Sequence, residues 1–255
     1  MGIGAKHGIF ASTGVTAAAS FANNNSLELD GTGDYLNCGA GMETLYAIDT
    51  YSISAWLRRS SGTNQQTIVC IKDPGSYHGN DFLIQHYEGI TRLDVYINGA
   101  SAFRNASVSL NDDQWYHLVV TVNKPASGYT NKCKAYLDGS LLTNNGGTNV
   151  QQLVDNNMNF TIGLQEKGTS SIVLTNAWNG YIDEVAVWTT ELSASEVTDV
   201  YNSGTPADIS STSPANWWRM GDNDGGTGTT VTDQGSNGDD GTLAGDASFS
   251  TTVPT

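Results

Sequence analysis

The stretch YSISAWLR, Tyr51 to Arg58, decides the fold. Tyr51, Ile53, Ala55 and Leu57 fall on one face of an extended chain, and Ser52, Ser54, Trp56 and Arg58 on the other; that period of two belongs to a β-strand. Similar runs recur outward from it at Gln66 to Ile71, Phe82 to Tyr87, Leu93 to Ile97, Trp115 to Val122, Cys133 to Leu137, Phe160 to Leu164 and Tyr181 to Trp188. Turn chemistry separates them. Asn98-Gly99 and Asp138-Gly139 are two-residue hairpin signals, since both pairs tolerate the positive φ angles of a type I′ turn. The pattern predicts antiparallel sheets with one face buried.

One short helix interrupts the strands. Ser193 is placed as its N-cap and Glu196 completes a capping box, while Leu192 and Val197 stand where a hydrophobic staple needs them. With Gly204 as the stop, the expected helix runs from Ala194 to Ser203. After it, Thr205 to Pro214 looks like a linker, yet Trp217-Trp218-Arg219-Met220 looks like another strand, in which one of the two tryptophans should face out. The remainder is too short for a core of its own, so 217–243 should pack back as a strand-bearing segment. The expected organisation is an extended N-terminal arm over 1–22 and one β-sandwich over 23–255.

A net charge of −15 over 255 residues repels nucleic-acid backbones and anionic membranes, so neither is an expected partner. Neither a bilayer-spanning apolar run nor the h-region of a secretory signal is evident. Cys38, Cys70 and Cys133 show no CxxC spacing, which excludes a disulfide-dense scaffold. Cys133 reads as a buried thiol, with a Cys70–Cys133 bridge as the alternative.

Taken in order, these segments resemble the laminin-G-like jelly roll of the concanavalin A-like lectin and glucanase superfamily. SLELDGTGDYL (Ser26 to Leu36) is similar to its opening strand and YSISAW to its second. DQWYHLVVTV (Asp113 to Val122), AYLDG (Ala135 to Gly139) and WNGYIDEVAVW (Trp178 to Trp188) follow in the family's order, covering about Ser26 to Gly204. The resemblance implies an all-β, concanavalin A-like, two-sheet antiparallel jelly-roll β-sandwich. The tail departs from it. WWRMGD (Trp217 to Asp222) and GTTVTDQGSNGDDGTL (Gly228 to Leu243) resemble a segment that often precedes the family's first strand, as though the sheet were circularly permuted. The same tail is similar to segments of marine bacteriophage structural proteins.

Catalytic machinery is not visible. Retaining glycosidases need two carboxyls about 5 Å apart, as E-x-D-x-E patterns on a strand supply, and none occurs. Asp183 and Glu184 are adjacent and should point to opposite faces, while Glu28 and Asp30 share a face but fit a turn-capping role at Asp30-Gly31. His117 sits where a structural hydrogen bond is expected. Relatives with this fold place Ca²⁺ or a sugar at one rim; the acidic residues Asp81, Asp222, Asp224, Asp239 and Asp240 are the candidate Ca²⁺ ligands, resting on oxygen density alone. Tyr77, Tyr87, Tyr129 and Trp218 are the candidate glycan platforms, whereas Trp56, Trp115, Trp178 and Trp188 read as core. The leading expectation is a non-enzymatic virion structural protein, a capsid decoration or tail or fibre component, assembling with other virion subunits or with itself and displaying a lectin-like, glycan-binding domain at the particle surface. The alternative is a calcium-dependent carbohydrate-binding module outside the cell, and a glycosidase comes third.

Overall fold

The computed structural model describes residues 21–39, 44–62, 65–72, 80–87, 91–153, 159–167 and 173–255. In chain order the strands are β1 (Ser26–Asp30), β2 (Tyr35–Asn37), β3 (Thr50–Arg59), β4 (Gln65–Lys72), β5 (Asn80–Tyr87), β6 (Arg92–Ile97), β7 (Ala100–Asn105), β8 (Trp115–Asn123) and β9 (Cys133–Leu137). They continue as β10 (Ser140–Leu141), β11 (Asn159–Ile162), β12 (Gln165–Lys167), β13 (Val173–Thr175), β14 (Asn179–Trp188), β15 (Asn216–Trp218), β16 (Thr230–Val231), β17 (Gly241–Ala244) and β18 (Ser248–Ser250). The α-helical segments among the described residues are α1 (Tyr129–Lys132) and α2 (Ala194–Tyr201).

Alternation in the sequence becomes two facing antiparallel sheets. One runs β10-β9-β8-β3-β14-β1-β18, with β15 also paired to β14, and the other runs β16-β17-β2-β11-β4-β5-β6-β7. Tyr51, Ile53, Ala55 and Leu57 enter a single core with Phe82, Ile84, Val95, Phe103 and Phe160 from the facing sheet. Both hairpin signals turn as their residues allow, with φ of 47° and 72° at Asn98 and Gly99, and 49° and 73° at Asp138 and Gly139. Cys38, Cys70 and Cys133 are buried thiols, none of them in a disulfide.

The opposite face of β3 is not solvated, as a simple amphipathic sheet would have it. Ser52, Ser54 and Trp56 are buried as well, because α2 and the segment after it lie across that face. Trp188, Leu192, Val197, Val200, Ile209 and Trp217 form a second apolar cluster there. The capping box forms as expected, with Ser193 N donating to Glu196 Oε2 at 2.7 Å and Glu196 N donating to Ser193 Oγ at 3.3 Å. α2 stops at Tyr201 rather than Ser203, since Asn202 and Ser203 already take left-handed angles of 46° and 59°. His117 departs from its expected role too. Its ring lies 4.9 Å from Trp56 and 5.9 Å from Tyr201, and neither ring nitrogen has a hydrogen-bond partner among the described residues. Burial pushes its pKa down to about 3, so the imidazole packs as a neutral aromatic.

The tail feeds both sheets. β15 pairs β14, β17 pairs β2, and β18 pairs β1. Trp218 is fully buried and stacks on Phe160 at 5.5 Å. Trp217 is only 4% exposed, so neither tryptophan faces out. Its outer side is closed by Phe21, stacked at 6.2 Å, and by the Arg219 guanidinium, which lies 4.1 Å over Phe21. One carboxylate fixes the tail's path. Asp233 Oδ1 accepts from Trp217 N at 2.6 Å and Gly235 N at 2.8 Å, and its Oδ2 accepts from Asn216 Nδ2 at 2.8 Å and Asp239 N at 2.9 Å.

A β-bulge in β14 overturns the expectation for Asp183 and Glu184. The register to β3 shifts between Asp183 and Ala186, and Glu184 adopts φ of 47°. Ile182 and Val185 both stay in the core, so the two residues between them face outward together. Asp183 is fully buried and accepts from Asn23 Nδ2 at 3.0 Å, while Glu184 accepts from Trp217 Nε1 at 2.5 Å and pairs with Arg219 at 3.0 Å. Burial, with the Glu184 charge beside it, pushes the Asp183 carboxyl well up, and burial raises Glu184 to about 7 against the pull of Arg219. Folding therefore favours a proton on the pair.

Two outcomes follow. Asp233→Ala strands four donors at once and should cost about 3 kcal/mol or more by denaturant unfolding, since each buried unmet group costs on the order of 1–3 kcal/mol; a loss under about 1 kcal/mol would refute its role as the organiser of the tail. A carboxyl whose folded pKa is raised stabilises fully below its unfolded pKa and loses that contribution as pH rises through the folded value. Stability should accordingly decline as pH rises toward about 7, and Asp183→Asn should flatten that decline in melts recorded across the range.

Candidate functional site

Strands β1, β3 and β14 end or begin at the same rim, because Asp30 pairs Asn179 and Arg59 pairs Gly180. The loops leaving them enclose a groove of about 540 Å³ lined by Asp30, Gly31, Thr32, Ser61, Gly62, Gln65, Gln66, Asn176, Ala177 and Asn179. A second hollow of about 350 Å³ shares Asp30 and Asn179 and adds Glu28, Asp34, Tyr181 and Asp246. Polar side chains dominate both.

Hydrogen bonds set the walls. Asp30 Oδ1 accepts from Thr32 N at 2.6 Å, closing the turn that its Asp-Gly sequence predicts. Asp34 accepts from Asp30 N at 3.0 Å and from Asp246 N at 2.6 Å, which ties the tail to the rim. Across the groove, Asn179 Nδ2 donates to Ser61 Oγ at 3.2 Å and Gln66 Nε2 to Ser61 O at 3.0 Å. The strands approach closely here: a Cβ at Gly180 would lie 2.1 Å from Arg58 O, so only glycine fits.

Beside the second hollow, Trp115, Arg58, Tyr181, Glu28 and Ser248 stand in one cross-strand row over β8, β3, β14, β1 and β18. Their neighbours Leu57, Ile182, Leu27 and Leu29 are core residues, so the row is on the outer face. Tyr181 lies 6.4 Å from Trp115 and under Arg58 at 5.0 Å, and its hydroxyl donates to Glu28 Oε1 at 3.1 Å. Tyr181 and Trp115 are half-buried, which leaves part of each ring to solvent. On the outer face of the other sheet an amide ladder leads away from the groove. Gln85 Nε2 donates to Thr67 Oγ1 at 2.9 Å and to Gln165 Oε1 at 3.1 Å, and Asn176 Nδ2 donates to the same Gln165 oxygen at 2.7 Å.

The structure distributes the expected platform residues differently. Tyr87 is half-buried beyond the amide ladder, with the Arg92 guanidinium 4.2 Å over its ring. Trp218 is corrected to a core residue, since Phe160 and the tail enclose it and no face remains for a ligand. Tyr77 and the side chain of Tyr129 lie outside the described residues. Trp115, read as core, is instead part of the surface row. Period-two alternation places Trp115 and Tyr181 on the outer face, but only strand order makes them neighbours, and the sequence does not carry that order.

The candidate calcium ligands serve the backbone. Asp222 accepts from Asn24 N and Asn25 N, both at 2.9 Å, and from Arg219 at 2.9 Å. Asp224 takes Thr232 N at 3.1 Å, Asp239 takes Asn216 Nδ2 at 3.0 Å, and Asp240 takes Asp233 N at 2.9 Å. Among the described residues no three His, Cys, Asp or Glu side chains gather as a group that could hold a metal ion; the Asp81 side chain lies outside those residues. The adjacent carboxyl pair Asp183 and Glu184 is sealed beneath Phe21, Trp217 and Arg219, out of reach of a substrate. No helix among the described residues is long and apolar enough to cross a membrane.

Known structures share the fold at low identity. A protein from Bacteroides ovatus, designated as a candidate carbohydrate-binding protein, superposes with a TM-score of 0.64 at 16% identity, covering 90% of this chain and 60% of its own. A heptameric SAP-like pentraxin from Limulus polyphemus gives 0.54 at 18% identity over 70% and 82% of the two chains. The CBM40 domain of a Ruminococcus gnavus IT-sialidase, bound to α2,3-sialyllactose, gives 0.52 at 12% over 68% and 96%. No curated protein matches the chain in sequence. The family model for Laminin_G_3 matches residues 30–198, well over half of the length, and the chain therefore belongs to that family, within the concanavalin A-like lectin/glucanases superfamily.

Proposed function

We propose that this chain is a non-enzymatic glycan-binding display domain, carried on the surface of a virion as a capsid decoration or as part of a tail or fibre. The observation that carries the binding half is the polar rim groove, about 540 Å³ in volume, set beside the half-exposed Tyr181 and Trp115 rings. Sugars are held by this combination in general terms. Amide and carboxylate oxygens take the hydroxyls, and an aromatic face takes the apolar C–H side of the ring. The non-enzymatic half of the reading is supported by the use of the rim's carboxylates, where Asp30 and Asp34 accept backbone N–H groups at turns.

The virion setting rests on the tail's resemblance to marine bacteriophage structural proteins and on the strong negative charge, which suits a solvated outer surface. Its partners there are other virion subunits or copies of the same chain.

On an oligosaccharide array the purified chain should bind a defined set of glycans, and chromatography should find those glycans intact after long incubation. Tyr181→Ala should weaken binding about tenfold or more with little change in melting temperature, as for a platform residue at the centre of a contact. Electron microscopy should place the chain at symmetric, repeated positions on particles. A null array sinks the binding reading, and a protein absent from particles sinks the virion reading.

A further inference from the structure

We infer that the rim groove selects uncharged, hydroxyl-rich sugars over their sialylated or sulfated counterparts. This rests on the glycan-binding reading and narrows it to a ligand class.

Among the described residues the charged groups of the groove are carboxylates. The two adjoining hollows are lined by the carboxylates of Glu28, Asp30, Asp34 and Asp246, and no lysine or arginine is among the described residues that line them. The amides are partly committed already: Gln66, Asn176 and Asn179 each send an N–H into the protein, to Ser61 O, Gln165 Oε1 and Ser61 Oγ. Gln66 adds an independent sign. It is only 5% exposed and lines the groove, and its Nε2 bond to Ser61 O fixes which end of the amide is oxygen. That oxygen, Oε1, accepts no hydrogen bond among the described residues. A buried acceptor without a donor is costly, and a ligand hydroxyl is the group that satisfies it. A carboxylate or sulfate cannot, because it brings acceptors of its own.

Charge points the same way. Arg58, the cation beside Tyr181, is held by Asp113 at 3.0 Å, and Arg59 by Asp112 at 2.6 Å. An anionic ligand would meet the groove's carboxylates with no free guanidinium to offset them, on a chain whose net charge is −15. The groove is thus unsuited to the sialyllactose that the Ruminococcus gnavus domain holds.

The test uses the full chain and matched oligosaccharide pairs, such as lactose against α2,3-sialyllactose and neutral against sulfated forms, on an array and then by calorimetry. Neutral members should bind at least about tenfold more tightly than their acidic partners, and Asp30→Asn should narrow that gap, since asparagine keeps the acceptor that closes the turn while removing the charge. Melting of the variant near the parent temperature confirms that it is folded. Acidic members binding as tightly as neutral ones, or an Asp30→Asn variant with undiminished discrimination, would overturn the inference and leave the glycan-binding reading standing. Binding of neither class overturns both.

Discussion

The Asp233 carboxylate gathers the chain that follows Pro214 around a single point. Four donors converge on it, three of them backbone N–H groups, from Trp217 in β15 and from Gly235 and Asp239 in the chain between β16 and β17. The residues after Pro214 run from that point into both sheets, with β15 paired to β14, β17 to β2 and β18 to β1. A carboxylate suits this task because it accepts several hydrogen bonds at once while its charge is spread over them. Asn216 and Gly235 supply two of the donors, and Gly235 also permits the close approach: a Cβ there would lie 2.4 Å from Ala215 O.

From that anchor the outer face of the first sheet becomes a second interior. Trp217 lands on Ala186, α2 lies alongside, and Phe21 with Arg219 closes the remaining side. The cost is that Asp183 and Glu184 are buried with them, which raises the pKa of both carboxyls and is offset by the Arg219 guanidinium and the indole of Trp217 at Glu184. The bulge that turns both outward is a local departure from the strand period, and it lets β14 keep Ile182 and Val185 in the main core.

Much of this was legible in the residues. The alternation of YSISAWLR, the two hairpin signals and the Ser193–Glu196 box translate directly into strands, turns and a helix N-terminus, because each depends on local geometry alone. Asp183 and Glu184 misread for the converse reason: a bulge is set by the register of a neighbouring strand. The burial of Trp217 beside Trp218 likewise depends on Phe21, nearly two hundred positions away, and the site row of Trp115, Arg58 and Tyr181 depends on strand order. Acidic density in the tail suggested an ion; the same carboxylates accept hydrogen bonds from backbone and side-chain N–H groups, a use that composition alone does not distinguish.

The pairing of β1 with β18 has a mechanical side. Ser26 faces Ser250 across this antiparallel pair, so the chain enters and leaves the sheet at the same end of the same two strands. Tension applied between those ends loads the rungs one after another, as in opening a zipper, rather than all together in shear. The clamp of Asp222 on Asn24 and Asn25 stands directly ahead of that seam and takes the first share of the load. A domain pulled in this way yields at its edge, and the seam that opens carries Glu28 and Ser248, walls of the hollow beside the rim groove.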